Sequence, residues 1–275
     1  MGEIRLRMAC WKFLAIEFFS GLWRKRWVLI FLLMGVNIFL TEKNFVYLSD
    51  DHHTSLNYWQ LAQAVLSGPS LHPPTYEILG WLFLPTLFIL GIGEPFSLLQ
   101  RQWMKMLLSR IPSRLNYWWC RLVAWFVLGF LFAAFVVLVS LLLSGLITSS
   151  HDWGIPPILI LNGKGQPFSI VFLWLFVNFL MTIWWYTTIL FTCSALFSRP
   201  GIATIVTLYT GYILTYLGTH YQSFSPYLRP LLGGEQNAFL YPILVKSSFL
   251  SVAISSFGWF LLNILGYVIF HRKDL

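Results

Sequence analysis

The sequence predicts an all-α integral membrane protein with six transmembrane helices, both termini cytoplasmic, an N-terminal interfacial amphipathic helix and short reentrant helices before the last span. Three observations carry this. First, 57% of the 275 residues are hydrophobic and 19% aromatic, while only 10% are charged; a soluble domain carries about 25% charged residues. Second, six long apolar runs recur along the chain. Third, the basic residues are divided unevenly between the segments that join those runs. This composition excludes a soluble enzyme, a disordered chain and a disulfide scaffold. It excludes a nucleic-acid partner as well, because that footprint is a basic stripe on a polar fold, and the polar residues to build one are missing.

The six runs lie near 27–40, 77–93, 122–148, 168–197, 202–218 and 248–270. A bilayer core needs about 20 mostly apolar residues per helix. The first run is short and gains from its flanks, up to Tyr47. The runs are continuous, whereas a barrel strand alternates over about ten residues. None of them contains Asp, Lys, Arg or His, and the one acidic residue touching them is Glu77, at an end. With no carboxylate inside a span, the chain is expected to lack the proton relay or cation site of an ion-coupled transporter.

Charge orients the chain. Of 18 Lys and Arg residues, only Lys43, Lys164, Arg229 and Lys246 fall on one side, which leaves fourteen on the other. The positive-inside rule makes the richer side cytoplasmic. Cys10, Cys120 and Cys193 then fall on the cytoplasmic half, and an odd count with none outside argues against a structural disulfide.

In chain order, the first segment, 1–26, is not a signal peptide, because charges recur through it and no small-residue cleavage site follows. Ile4, Met8, Trp11, Ala15, Phe18 and Leu22 recur at steps of three and four, the pattern of an amphipathic helix lying on the inner membrane face. Outside, Asp50, Asp51, His52 and His53 either bind a metal or line a solvated loop. No helical His–Glu spacing or Cys partner supports the metal.

The inner segment, 94–121, holds Pro95 at a helix start and Pro112 at a helix stop. Between them Leu99, Trp103, Met106, Leu107 and Arg110 share one face. Such a helix either docks in a groove on another protein or connects two spans as a positively charged link.

In the fourth span Trp184, Trp185, Tyr186, Thr187 and Thr188 bring rings and hydroxyls together. In the fifth, Thr204, Thr207, Gly211 and Thr215 share a face, and Tyr209, Tyr212 and Tyr216 lie on another. Small residues four apart let helices approach closely. The face is therefore a helix-packing seam, or a dimer interface or substrate path. The outer segment 219–247 carries two apolar stretches, Ser225 to Leu232 and Phe239 to Val245. They are too apolar for free loops and too short to span, and read as reentrant helices covered by protein.

The chain lacks the common catalytic motifs. No Walker A pattern occurs, and Gly163-Lys164-Gly165 lacks the strand–helix context. No G-x-S-x-G, H-E-x-x-H or paired-Cys motif is present. No cofactor is expected in this chain, and it is not expected to act as an enzyme.

The pattern resembles the membrane (permease) subunit of bacterial ABC transporters, type-two exporter class. The residues that carry the likeness are Glu94, then Leu107-Leu108-Ser109-Arg110-Ile111-Pro112-Ser113-Arg114-Leu115-Asn116-Tyr117, then Arg121, and the ending Phe270-His271-Arg272-Lys273-Asp274-Leu275. Where the family often has Gly after the acidic start, this chain has Gln100-Arg101-Gln102-Trp103-Met104. The resemblance implies a single transmembrane domain over 1–275 in a bacterial plasma membrane. It implies a cytoplasmic ATP-binding subunit holding ATP and Mg, coupled through Phe96, Leu99, Trp103, Leu107 and Arg110. It also implies a second permease chain, same or related, and export of an amphipathic or hydrophobic substrate such as a peptide, drug or lipid. Two other readings stay open: an ATP-independent channel or facilitator, and a peptide-sensing or immunity subunit on the same scaffold.

Overall fold

The computed structural model describes residues 26–50, 58–68, 75–93, 114–147, 168–197, 199–220, 234–235 and 243–272. These residues form an all-helical bundle. Its elements are α1 (Arg26–Asp50), α2 (Tyr58–Leu66), α3 (Thr75–Gly93), α4 (Arg114–Ile147), α5 (Phe168–Leu196), α6 (Pro200–His220) and α7 (Ile243–Arg272). The remaining regular structure is a two-residue parallel pair, Ser67–Gly68 with Gly234–Glu235. The six long helices cover the six apolar runs of the sequence. Three windows, in α1, α4 and α5, are both long and apolar enough to cross a membrane.

The helices α1 and α4 each bury one stripe and leave much of the rest as apolar surface, the arrangement a lipid solvent allows. In α1 the stripe is Trp27, Ile30, Met34 and Ile38, while Val28, Leu29, Leu32 and Val36 face outward. In α4 it runs from Tyr117 and Trp118 through Leu122, Trp125, Leu128 and Phe132 to Val136. The core helix is α5, whose spanning window is 78% buried against 28% for α1 and 33% for α4. It packs against α7, α6, α4 and α3. That position explains its composition, because a helix surrounded by protein has no lipid face to keep apolar. Its hydroxyls are satisfied within the helix: Thr182, Thr187, Thr188 and Thr192 donate to the carbonyls four residues back at 2.7–3.0 Å. Trp259 of α7 adds a bond from Nε1 to Thr188 Oγ1 at 2.9 Å.

Three differences from the sequence reading bear on the site. The helix α1 continues to Asp50, well past the apolar run. The helix α2 falls in a segment read only as a polar outer loop; its Leu61, Ala62, Val65 and Leu66 are buried, and it packs on both α1 and α4. The helix α7 begins at Ile243, so residues 243–245 of the second apolar stretch are the first turn of the last long helix.

Candidate functional site

The helix α4 is 34 residues long, about 51 Å at 1.5 Å per residue. A hydrocarbon core is about 30 Å thick, so α4 exceeds one crossing. Its buried stripe carries a cation near one end and hydroxyls for an anion near the other.

The cation is Arg121, 2% exposed. Its Nη1 donates to Tyr117 Oη one turn earlier at 2.9 Å. The guanidinium lies 5.4 Å from the centre of the Phe191 ring and 5.8 Å from that of Tyr117, within cation–π range. Around it the ends of three helices meet. Trp118 packs edge-on to Phe191 of α5 and against Phe270 of α7, at 5.1 and 5.5 Å between centroids. Tyr117 stacks on Phe270 at 5.8 Å. Arg114 Nη1 donates to the His271 carbonyl at 2.7 Å. Close approach is built in at Gly266, where a Cβ would come within 2.8 Å of Thr192 Oγ1 and 2.9 Å of the Trp118 ring. The start of α4 is thus clamped to the ends of α5 and α7.

The anion is Glu42, 0% exposed. It falls four residues after Ile38, so the phase of the α1 stripe turns it inward. The Ser140 and Ser144 hydroxyls of α4 donate to Glu42 Oε1 at 2.7 and 2.8 Å. Among the described residues, Oε2 has no hydrogen-bond partner. Burying a bare carboxylate costs several kcal/mol, and two hydroxyl donors on one oxygen offset only part of that. Arg121 gives no help: from it to Ser140 is about 28 Å along α4. Glu42 lies inside the spanning window of α1, and Ser140 and Ser144 lie in the spanning helix α4. The expectation that no carboxylate sits within a span is therefore corrected. The strictly apolar run stops at Leu40, and its extension to Tyr47 passes over Glu42 without marking it; the serines that receive it are 98 and 102 residues away.

Of the fifth-span residues, Thr207, Gly211 and Thr215 are brought together, and all three are buried against α5. A Cβ at 211 would overlap the Tyr186 ring, so only glycine lets α6 sit this close. Tyr186 presents its hydroxyl to Thr215, and Thr207 lies against the Cys193 thiol. Thr204 is half-buried beside this seam, with Ala203 on the buried phase. The seam is thus filled within the chain, and Ile205, Tyr209, Ile213 and Tyr216 form the outward face.

Phe96, Leu99, Trp103, Leu107 and Arg110 lie outside the described residues, as do 1–25, Asp51, His52 and His53. The segment 94–121 enters description at Arg114, and its last eight residues are the first two turns of α4. Among the described residues, no group of three or more His, Cys, Asp or Glu is placed to hold a metal.

The class these features define is a helical membrane protein with charged groups buried in its helix bundle. Searches against protein-family models, curated proteins and solved structures found no match for the chain.

Proposed function

We propose that the chain is the transmembrane subunit of an ATP-driven ABC exporter. It spans a bacterial plasma membrane six times with both termini cytoplasmic, and moves an amphipathic or hydrophobic substrate (peptide, drug or lipid-like). A separate subunit binds ATP and Mg and hydrolyses the ATP. A second permease chain completes the path, and with the Thr207–Thr215 seam filled by α5, it meets the outward face of α6.

The observation that carries the reading is the junction at Arg114. The segment with the resembling motif, 94–121, ends in the first two turns of α4, at its clamped start. Force applied to Phe96, Leu99, Trp103, Leu107 and Arg110 by a partner passes into a helix bonded to α7 and stacked on α5. A helix longer than one bilayer crossing has turns to spare for contact with a cytoplasmic subunit, and the charge asymmetry supports assigning the Arg114 end to that side.

The test is co-purification. The tagged full chain should bring down a Walker-motif protein, and Trp103→Asp or Leu107→Asp should abolish that without loss of membrane insertion. Retention of the partner by both variants would contradict the coupling role. One observation favours a second reading: Glu42 gives the chain an intramembrane carboxylate, the kind of group that ion-coupled transporters use. Flux through liposomes holding the purified chain alone, dependent on an ion gradient, would select that reading instead.

A further inference from the structure

We infer that Glu42 is a proton-binding site at the α1–α4 joint, occupied in the packed bundle. The inference rests on the packing of α1, α2 and α4 and does not depend on the exporter reading.

The geometry is that of a carboxylic acid. Both serine hydroxyls donate to the same oxygen, Oε1. The carbonyl oxygen of a carboxylic acid accepts two such bonds, as a carboxylate oxygen also does, so the serines fit either form. What separates the two forms is Oε2: among the described residues no donor meets it, and it is the oxygen that carries the hydrogen in the neutral acid. A carboxylate in this place would hold its charge fully buried with two neutral donors on one oxygen, and a buried ion neutralises before it accepts that cost.

No charged neighbour changes this balance among the described residues. From α4 the facing groups are Ser140 and Ser144. From α2 the buried side chains are Leu61, Ala62, Val65 and Leu66. From α3 the side chains between Ile78 and Ile92 include no titratable group. On α1 itself Lys43 is exposed, with its Nζ 5.8 Å from the centre of the Phe39 ring.

The exchange is simple to balance. When α1 and α4 separate, water reaches the carboxyl. The O–H on Oε2 gives its proton to water, leaving a carboxylate and a hydronium ion. Closing the joint requires a proton from water to return to Oε2. Any movement that opens this joint is thereby tied to uptake and release of one proton.

Infrared spectroscopy on the purified full chain in lipid at neutral pH tests this. The wild type should show the carbonyl stretch of a protonated carboxylic acid that is absent from Glu42→Gln. The double variant Ser140→Ala, Ser144→Ala keeps the acid and removes both donors to Oε1, so the band should persist and move to higher frequency. Spectra of wild type and Glu42→Gln that match in this region would overturn the inference. Should Glu42→Gln fail to insert, the serine variant decides: an unmoved band, or no acid band in the wild type, overturns it equally.

Discussion

Arg121 and Glu42 are two buried ionisable groups that α4 holds, and they are held differently. Arg121 keeps its charge because its charge is used. A guanidinium is never deprotonated in a protein, so the bundle surrounds it with a phenol oxygen and two ring faces. Among the described residues, Glu42 meets two serines and buried apolar side chains of α2, an environment suited to a neutral acid. The cationic end of α4 is a fixed clamp, and the acidic end is a joint whose stability depends on one proton. In the exporter reading this is a useful difference: force enters at the rigid end and movement is permitted at the other.

The comparison can be broken most severely by reversing the charge at the joint. Glu42→Lys puts a second cation on the core face of α1 with no acceptor for the serine hydroxyls. It should lower the free energy of unfolding by about 3–5 kcal/mol, as an uncompensated buried charge does, measured by steric trapping in bicelles. The clamp should suffer next. Arg121→Ala removes a fully packed side chain and its ring contacts at once, and should cost about 2–4 kcal/mol by the same measurement. Arg121→Lys keeps the charge but loses the planar stack, and should recover only part of that.

A third substitution separates both charges from the packing between them. Gly211→Leu forces α6 away from Tyr186 and should cost about 1–3 kcal/mol. The combination with Tyr186→Ala should recover part of the loss, read as a coupling term in a double-mutant cycle. The smallest effect sharpens the comparison most. Glu42→Gln is the neutral isostere and still accepts both serine hydroxyls, so its unfolding free energy should lie within about 1 kcal/mol of wild type. Arg121→Gln, equally neutral, should cost more because nothing at the clamp is built for a neutral amide.

Much of the fold was legible because hydropathy is local. Six apolar runs became six long helices, and the Thr207–Gly211–Thr215 spacing became the α5–α6 seam. The short helix α2 was not legible in the same way. Tyr58, Leu61, Ala62, Val65 and Leu66 do recur at helical spacing, but they stand between a run of Asp and His and the turn signal Gly68-Pro69. Arg121 and Glu42 fail for a common reason. Arg121 was read by its charge as a cytoplasmic residue, and Glu42 was passed over in the flank that extends the first run to Tyr47. What buries them is distant in sequence: Phe191 and Phe270 at one end, Ser140 and Ser144 at the other. Helical phase was the available signal, since Glu42 follows Trp27, Ile30, Met34 and Ile38 on one stripe.

The most direct test of the exporter account is reconstituted flux. The chain and the Walker-motif protein that co-purifies with it are placed in proteoliposomes, with a fluorescent amphipathic dye as the transported probe. The account predicts movement of dye only when both proteins and MgATP are present, and loss of that movement in Trp103→Asp. Equal flux from the chain alone, or flux indifferent to ATP, would contradict it.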